Sequence, residues 1–140
     1  MGQGLFERAR AFSAEECAGL ARLMEAGGGE AAPVYHAAGA AVDPRMRRAT
    51  TLLLVRGPET DWMFARLDEL FAAAAALFGT PVDPVFEPVQ LVRYGPGDHF
   101  QMWHSDAGVD RIEARRISAS IELSEPGEYS GGRLEVAGGA

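Results

Sequence analysis

The residues best suited to chemistry are His104 and Asp106, which stand two positions apart in the run Tyr94–Asp106. On a β-strand the side chains of residues i and i+2 leave the same face, so an imidazole and a carboxylate at this spacing can converge on one metal ion. They would supply two of the three protein ligands of a two-histidine, one-carboxylate iron site. The other histidines, His36 and His99, both precede this pair. The spacing alone therefore predicts a metal site without its third ligand.

Neither remaining histidine is a strong candidate for that third ligand. His99 follows Gly97 and Asp98, and this turn-like composition favours a loop residue. His36 stands in a stretch rich in small residues and is interpreted as a surface or helix-packing side chain. A His-x-Asp pair also occurs on ordinary solvated strand faces, so the elements around it must decide its role.

The composition restricts the class of protein. The chain has 140 residues, 47% of them hydrophobic and 24% charged, which is typical of one soluble globular domain. The net charge of −7 disfavours nucleic acid as a partner, and the only dense basic run is formed by Arg45, Arg47 and Arg48. The single cysteine, Cys17, cannot form an internal disulfide, and no apolar run is long enough for a membrane span. We expect a cytoplasmic protein.

Two helices and several strands are predicted from capping and periodicity. Ser13 and Glu16 have the spacing of a capping box, so a helix should run over 14–26 and end at three consecutive glycines. Apolar residues at helical spacing predict a second helix over 62–78, and the acidic pair Asp68-Glu69 is interpreted as solvated surface on it. The predicted strands are 34–36, 50–55, 89–94, 100–106, 116–123 and 133–136.

Four blocks of the second half occur in a fixed order: Val89–Gly97, Trp103–Asp106, Arg115–Ser118 and Tyr129–Leu134. In order and spacing they resemble the prolyl-4-hydroxylase-like Fe(II)- and 2-oxoglutarate-dependent dioxygenases. The resemblance covers about residues 86 to 136, and the helix-rich part before it looks like the support that these enzymes place ahead of their barrel. This arrangement is far more specific than the His-x-Asp spacing alone.

The resemblance implies an α+β protein whose N-terminal helices pack on a double-stranded β-helix, or jelly roll, that is incomplete at the C-terminus. It implies His104 and Asp106 as Fe(II) ligands and Tyr94 as a hydrogen-bond partner of the distal carboxylate of 2-oxoglutarate. The positions that match the family's pocket lining are Gln90, Ser120 and Leu134. The implied reaction hydroxylates an unactivated C–H bond of a small-molecule or peptidyl substrate while 2-oxoglutarate becomes succinate, with ascorbate as a further cofactor to test.

The sequence departs from the family pattern beyond these blocks, where more strands, a distal histidine and an arginine or lysine for 2-oxoglutarate would follow. Arg133 comes too early for that role and is expected at the surface. Glu122 lies on the polar face of a predicted strand, where it would repel a dianionic keto acid. We therefore expect a single domain over 1–140, with helical support at 1–85 and the first jelly-roll strands at 86–140.

Two other functions stay open. A catalytically inactive half-barrel would act as a binding or oligomerisation module through its unpaired strand edges. A metal-binding jelly roll would have its site completed by His99 or by a second chain. An incomplete jelly roll exposes apolar faces and open edges, so poor solubility or homo-oligomers are expected. These residues do not identify the substrate, because the choice between substrates depends on loops that vary within the family.

Overall fold

The computed structural model describes residues 4–36, 39–101, 103–104 and 115–137, and these form a mixed α+β protein with small antiparallel sheets. Its elements, in chain order, are α1 (Ala14–Gly27), β1 (Glu30–Ala31), β2 (Val34–His36), β3 (Gly39–Ala41), β4 (Arg47–Arg48), β5 (Thr50–Leu54), α2 (Asp61–Phe78), β6 (Val89–Arg93), β7 (His99–Phe100) and a 3-10 helix (Pro126–Glu128). Neither described α-helix is both long and apolar enough to cross a membrane.

The chain divides into two compact units. The sheet unit comprises Ala14–Val55 and Pro88–His104, and it contains α1 and all seven described strands. The helical unit comprises Met1–Ser13, Arg56–Glu87 and Ser105–Ala140, and α2 is its main described element. Five strands already precede α2, so the strands are not confined to the second half of the chain.

Helix α1 begins one residue after Ser13 and ends at Gly27, as the capping and glycine signals predict. Glu15 and Glu16 in its first turn suit the positive end of the helix dipole. Beyond the helix, Gly29 adopts a φ of 60°, and a Cβ there would lie 2.5 Å from Cγ2 of Thr50. Only glycine fits this position, because the chain reverses tightly against β5.

The largest sheet lies in the sheet unit and has the strand order β1-β5-β6, with both pairings antiparallel. The register places Leu52 opposite Leu91 and Leu53 opposite Gln90. Helix α1 packs against β5 and β6, where it buries Leu20 and Met24. The predicted strands 50–55 and 89–94 are confirmed, each one residue shorter.

Helix α2 confirms the second predicted helix and ends at Gly79, whose φ of 65° makes a left-handed cap. The Gly79 backbone N–H donates to the carbonyl of Ala75. The buried residues of α2 are Met63, Phe64, Leu67 and Ala74. Within the helical unit, Phe12 meets the ring of Trp62 edge-on at 5.7 Å.

The later strand predictions are wrong in the described part of the chain. Residues 116–123 and 133–136 are not strands, although 117–123 alternates polar and apolar side chains. Alternation makes a strand only where a neighbouring strand pairs with its backbone groups, and no described strand does so here. The predicted strand 100–106 is reduced to the pair His99–Phe100, and 102 and 105–106 lie outside the described residues. The described strands do not show the expected jelly roll.

Candidate functional site

The turn between β6 and β7 is held by Asp98. Its carboxylate accepts a hydrogen bond from the Gly95 backbone N–H at 2.8 Å and one from Nε of Arg48 at 2.9 Å. Together these donors keep the pKa of Asp98 below its usual value, the Gly95 hydrogen bond contributing most. Gly97 supplies the positive φ of 81° that the turn needs. This turn brings β7 back against β4.

Strands β4 and β7 pair antiparallel, with Arg47 opposite Phe100 and Arg48 opposite His99. Gln101 extends the ladder, since its N–H donates to the carbonyl of Met46 at 2.9 Å. Because neighbouring residues of a strand point to opposite faces, Arg47 and Phe100 share one face and Arg48 and His99 the other. The pairing therefore places the consecutive residues Arg47 and Arg48 on opposite faces of the two-stranded sheet.

Arg47 is buried, with 8% of its surface exposed. Its Nη1 donates to the carbonyl of Pro33 at 3.2 Å, and Nη2 lies 3.5 Å from Oε1 of Gln90. Its Cζ lies 4.6 Å from the centre of the Phe100 ring, as in a cation–π contact. Its Nε is buried without a hydrogen-bond partner. None of the described ion pairs includes this guanidinium, so its contacts within the described residues are all with neutral groups.

The other side chain against Phe100 is His104. The two rings stack with their centres 4.5 Å apart and their planes 12° from parallel. His104 is exposed, while Phe100 is half-buried. The stacking limits how the imidazole can turn, so Phe100 orients a predicted metal ligand. We refer to Arg47, Gln90, Phe100 and His104 as the Arg47 cluster.

The predicted site residues are distributed as follows. Gln90 and His104 both belong to the Arg47 cluster, in the sheet unit. Tyr94 follows β6 in the same unit and is half exposed. Ser120 and Leu134 lie in the helical unit, where both are exposed. Asp106 lies outside the described residues, so its predicted role stays a prediction.

The histidine expected in a loop, His99, is instead a strand residue. It lies in β7, and its Nδ1 is buried without a hydrogen-bond partner. Because it shares a face with Arg48, it points away from the face of Arg47 and Phe100. Within 4–36, 39–101, 103–104 and 115–137, no three His, Cys, Asp or Glu side chains lie close enough together to hold a metal ion.

Arg47 is the residue of this site that sequence reasoning missed. In the sequence it belongs to a basic run with Arg45 and Arg48, but in the structure Arg45 pairs with Asp43 at the surface and Arg48 with Asp98. The available signal was period-two alternation, which would have put Arg47 and Arg48 on opposite faces of a strand. Compared with known proteins, the chain matches no family model, no curated protein and no solved structure.

Proposed function

We propose that this chain is the N-terminal portion of an Fe(II)- and 2-oxoglutarate-dependent dioxygenase that hydroxylates an unactivated C–H bond. The supporting observation is that Gln90 and His104, which the sequence resemblance assigns to one pocket, both adjoin the contact between Arg47 and Phe100. Gln90 lies on β6, whereas His104 lies in the segment that follows β7. A jelly roll completed by further strands is part of the same proposal.

The donor types suit the metal. A neutral imidazole and a hard carboxylate are the ligands that non-haem Fe(II) sites use, so His104 and Asp106 would hold the ion. Bound there, Fe(II) would supply the redox centre at which O₂ and the 2-oxo acid react. The third protein ligand would be the distal histidine that follows these blocks in the family pattern.

The chain's own residues would position the metal ligand His104 and the keto acid. Phe100 stacks on the ring of His104, which restricts the plane of the imidazole. The guanidinium of Arg47 places a positive charge beside Gln90, and this charge favours a dianionic keto acid in a chain whose net charge is −7. Tyr94, after β6, would donate its hydroxyl to the distal carboxylate of that acid.

The test is an anaerobic titration of the full chain with Fe(II), followed by calorimetry, with succinate formation from 2-oxoglutarate as a second readout. We expect His104→Ala and Asp106→Ala each to weaken Fe(II) binding by at least about tenfold. The matched control is Asp83→Ala at an exposed position, which should bind as the wild type does. Unchanged Fe(II) affinity in both site variants would refute the proposal.

A second candidate function is a binding or oligomerisation module. The observation that favours it is the edge of the largest sheet, where β6 pairs with β5 on one side only within the described residues. Leu53, on the neighbouring strand, is 59% exposed, and Val55 is 63% exposed. Open edges and exposed apolar side chains favour strand addition by another chain. This candidate predicts association without metal and without succinate formation.

A further inference from the structure

Among the described residues, no carboxylate pairs with the buried guanidinium of Arg47. The cation–π contact with Phe100 and the carbonyl of Pro33 offset part of the loss of water around the charge. They leave Nε without any hydrogen bond, which is uncommon for a buried polar atom. A buried cation whose described neighbours are all neutral is incompletely compensated, and an anion is the partner that would compensate it.

The free edge of the guanidinium has a definite shape. Nε and Nη2 lie side by side and can together donate two parallel hydrogen bonds. Nε has no partner, and Nη2 has only the 3.5 Å contact with Oε1 of Gln90, at the limit of a hydrogen bond. A rotation of the half-buried Gln90 side chain would free Nη2 for another acceptor.

We propose that Arg47 binds the carboxylate of a small organic acid through its Nε and Nη2, in the place that the amide oxygen of Gln90 now occupies. Two parallel N–H groups match the two oxygens of a planar carboxylate, which is the geometry of bidentate arginine–carboxylate pairs. Phe100 holds the guanidinium plane in place, and the exposed His104 marks the solvent side of the cluster. No metal ligand takes part in this contact, so the inference does not depend on iron.

The contact of Arg47 with Gln90 provides the sharpest test. Gln90→Glu puts a carboxylate next to Nη2 without changing the size of the side chain. It should raise the melting temperature by about 3 °C, because it gives the buried cation its missing partner. The same variant should lose carboxylate binding, since its own side chain occupies the site. Gln101→Glu makes the same chemical change at an exposed residue and is the matched control.

Binding is measured with succinate on the full chain, from which metal has been removed by a chelating resin, by calorimetry and by ligand-observed NMR. We expect saturable binding to the wild type and to Gln101→Glu. Arg47→Lys should weaken it by about tenfold or more, because lysine keeps the charge but loses the paired donors. Inorganic phosphate in place of succinate distinguishes a carboxylate site from a general anion site.

Three binding results would each overturn the inference: no saturable succinate binding to the wild type, undiminished binding to Gln90→Glu, or phosphate binding as tightly as succinate. A melting temperature of Gln90→Glu below that of Gln101→Glu would also overturn it. Because these measurements exclude metal, they can fail while Fe(II) still binds at His104, and they can succeed where Fe(II) does not bind. The two proposals are therefore tested separately.

Discussion

Asp68 on α2 binds Arg56, which precedes the helix: its two carboxylate oxygens lie 3.1 and 3.0 Å from Nη2 of that arginine. The same carboxylate accepts a hydrogen bond at 2.9 Å from the backbone N–H of Val85, which follows the helix. Arg56 also donates to the carbonyl of Val85 and lies over the ring of Phe64. One carboxylate thus connects the segments that enter and leave α2.

Asp68→Asn tests this connection. The amide keeps the shape but loses the charge that two segments share, so we expect a loss of unfolding free energy of about 1 kcal/mol, reduced by the partial exposure of the pair. Urea unfolding followed by tryptophan fluorescence measures it. Glu69→Gln, on the exposed face of the same helix, is the matched control and should change little. Equal midpoints for the two variants would contradict the connection.

The helices of this fold follow from local sequence, while their polar contacts do not. Helices α1 and α2 were predicted almost to the residue, because a capping box with terminal glycines and a helical spacing of apolar residues are local signals. Asp68 was predicted to be solvated surface, and that interpretation is wrong in part because its partners lie 12 and 17 residues away. Spacing along a helix gives no information about contacts with segments outside it.

The candidate site also depends on contacts between distant segments, which local sequence does not reveal. Its parts meet because β4 pairs with β7, and Arg48 reaches Asp98 across 50 residues of sequence. The pattern around His104 predicted a metal ligand, yet nothing local showed that Arg47 would be buried against Phe100. Gln90 was predicted to line a pocket from a resemblance, and the structure places it beside Arg47. Long-range strand pairing is the step that local patterns leave open.

Among the described residues of the helical unit, Phe64 is the largest side chain that is almost completely buried, with 1% of its surface exposed. Phe64→Ala should lower the unfolding free energy by about 3–5 kcal/mol, since it removes a buried ring and leaves a cavity. It also removes the face on which Arg56 lies, 4.6 Å from the ring centre.

Phe86→Ala is the control for that substitution, because Phe86 belongs to the same unit but is 55% exposed. Phe86→Ala should lower the unfolding free energy by about 0.5 kcal/mol or less. Thermal and urea unfolding of both variants measure the difference. A similar loss in the two variants would show that Phe64 is not part of a packed core.

The turn carboxylate of Asp98 makes stability depend on pH in a definite direction. Hydrogen bonds from the Gly95 N–H and from Arg48 lower its pKa in the folded chain. A carboxyl of this kind stabilises the fold at pH values above its unfolded pKa, which is about 4, and loses that contribution as the pH falls through the lower folded value. Asp98→Asn, which does not titrate, removes the contribution at every pH.

The unfolding free energy of the wild type minus that of Asp98→Asn should therefore be constant between about pH 7 and pH 5 and should shrink below about pH 4. Urea unfolding at each pH measures it. Asp83→Asn, at an exposed aspartate, should give a small difference across the same range. A difference that grows as the solution becomes more acidic would mean that the assigned sign is wrong.

Exposed apolar residues at the end of β5 predict that the chain self-associates. Leu53 and Val55 are two positions apart and both largely exposed, beside a strand, β6, that pairs on one side only in the part of the chain that is described. Such an edge favours pairing with another copy. Light scattering coupled to gel filtration should show a mass that rises with concentration.

The double variant Leu53→Gln and Val55→Gln should reduce this rise, whereas Leu77→Gln, equally exposed on α2, should not. A monomer at every concentration with a sharp, reversible melt would contradict the prediction, and with it the binding-module function.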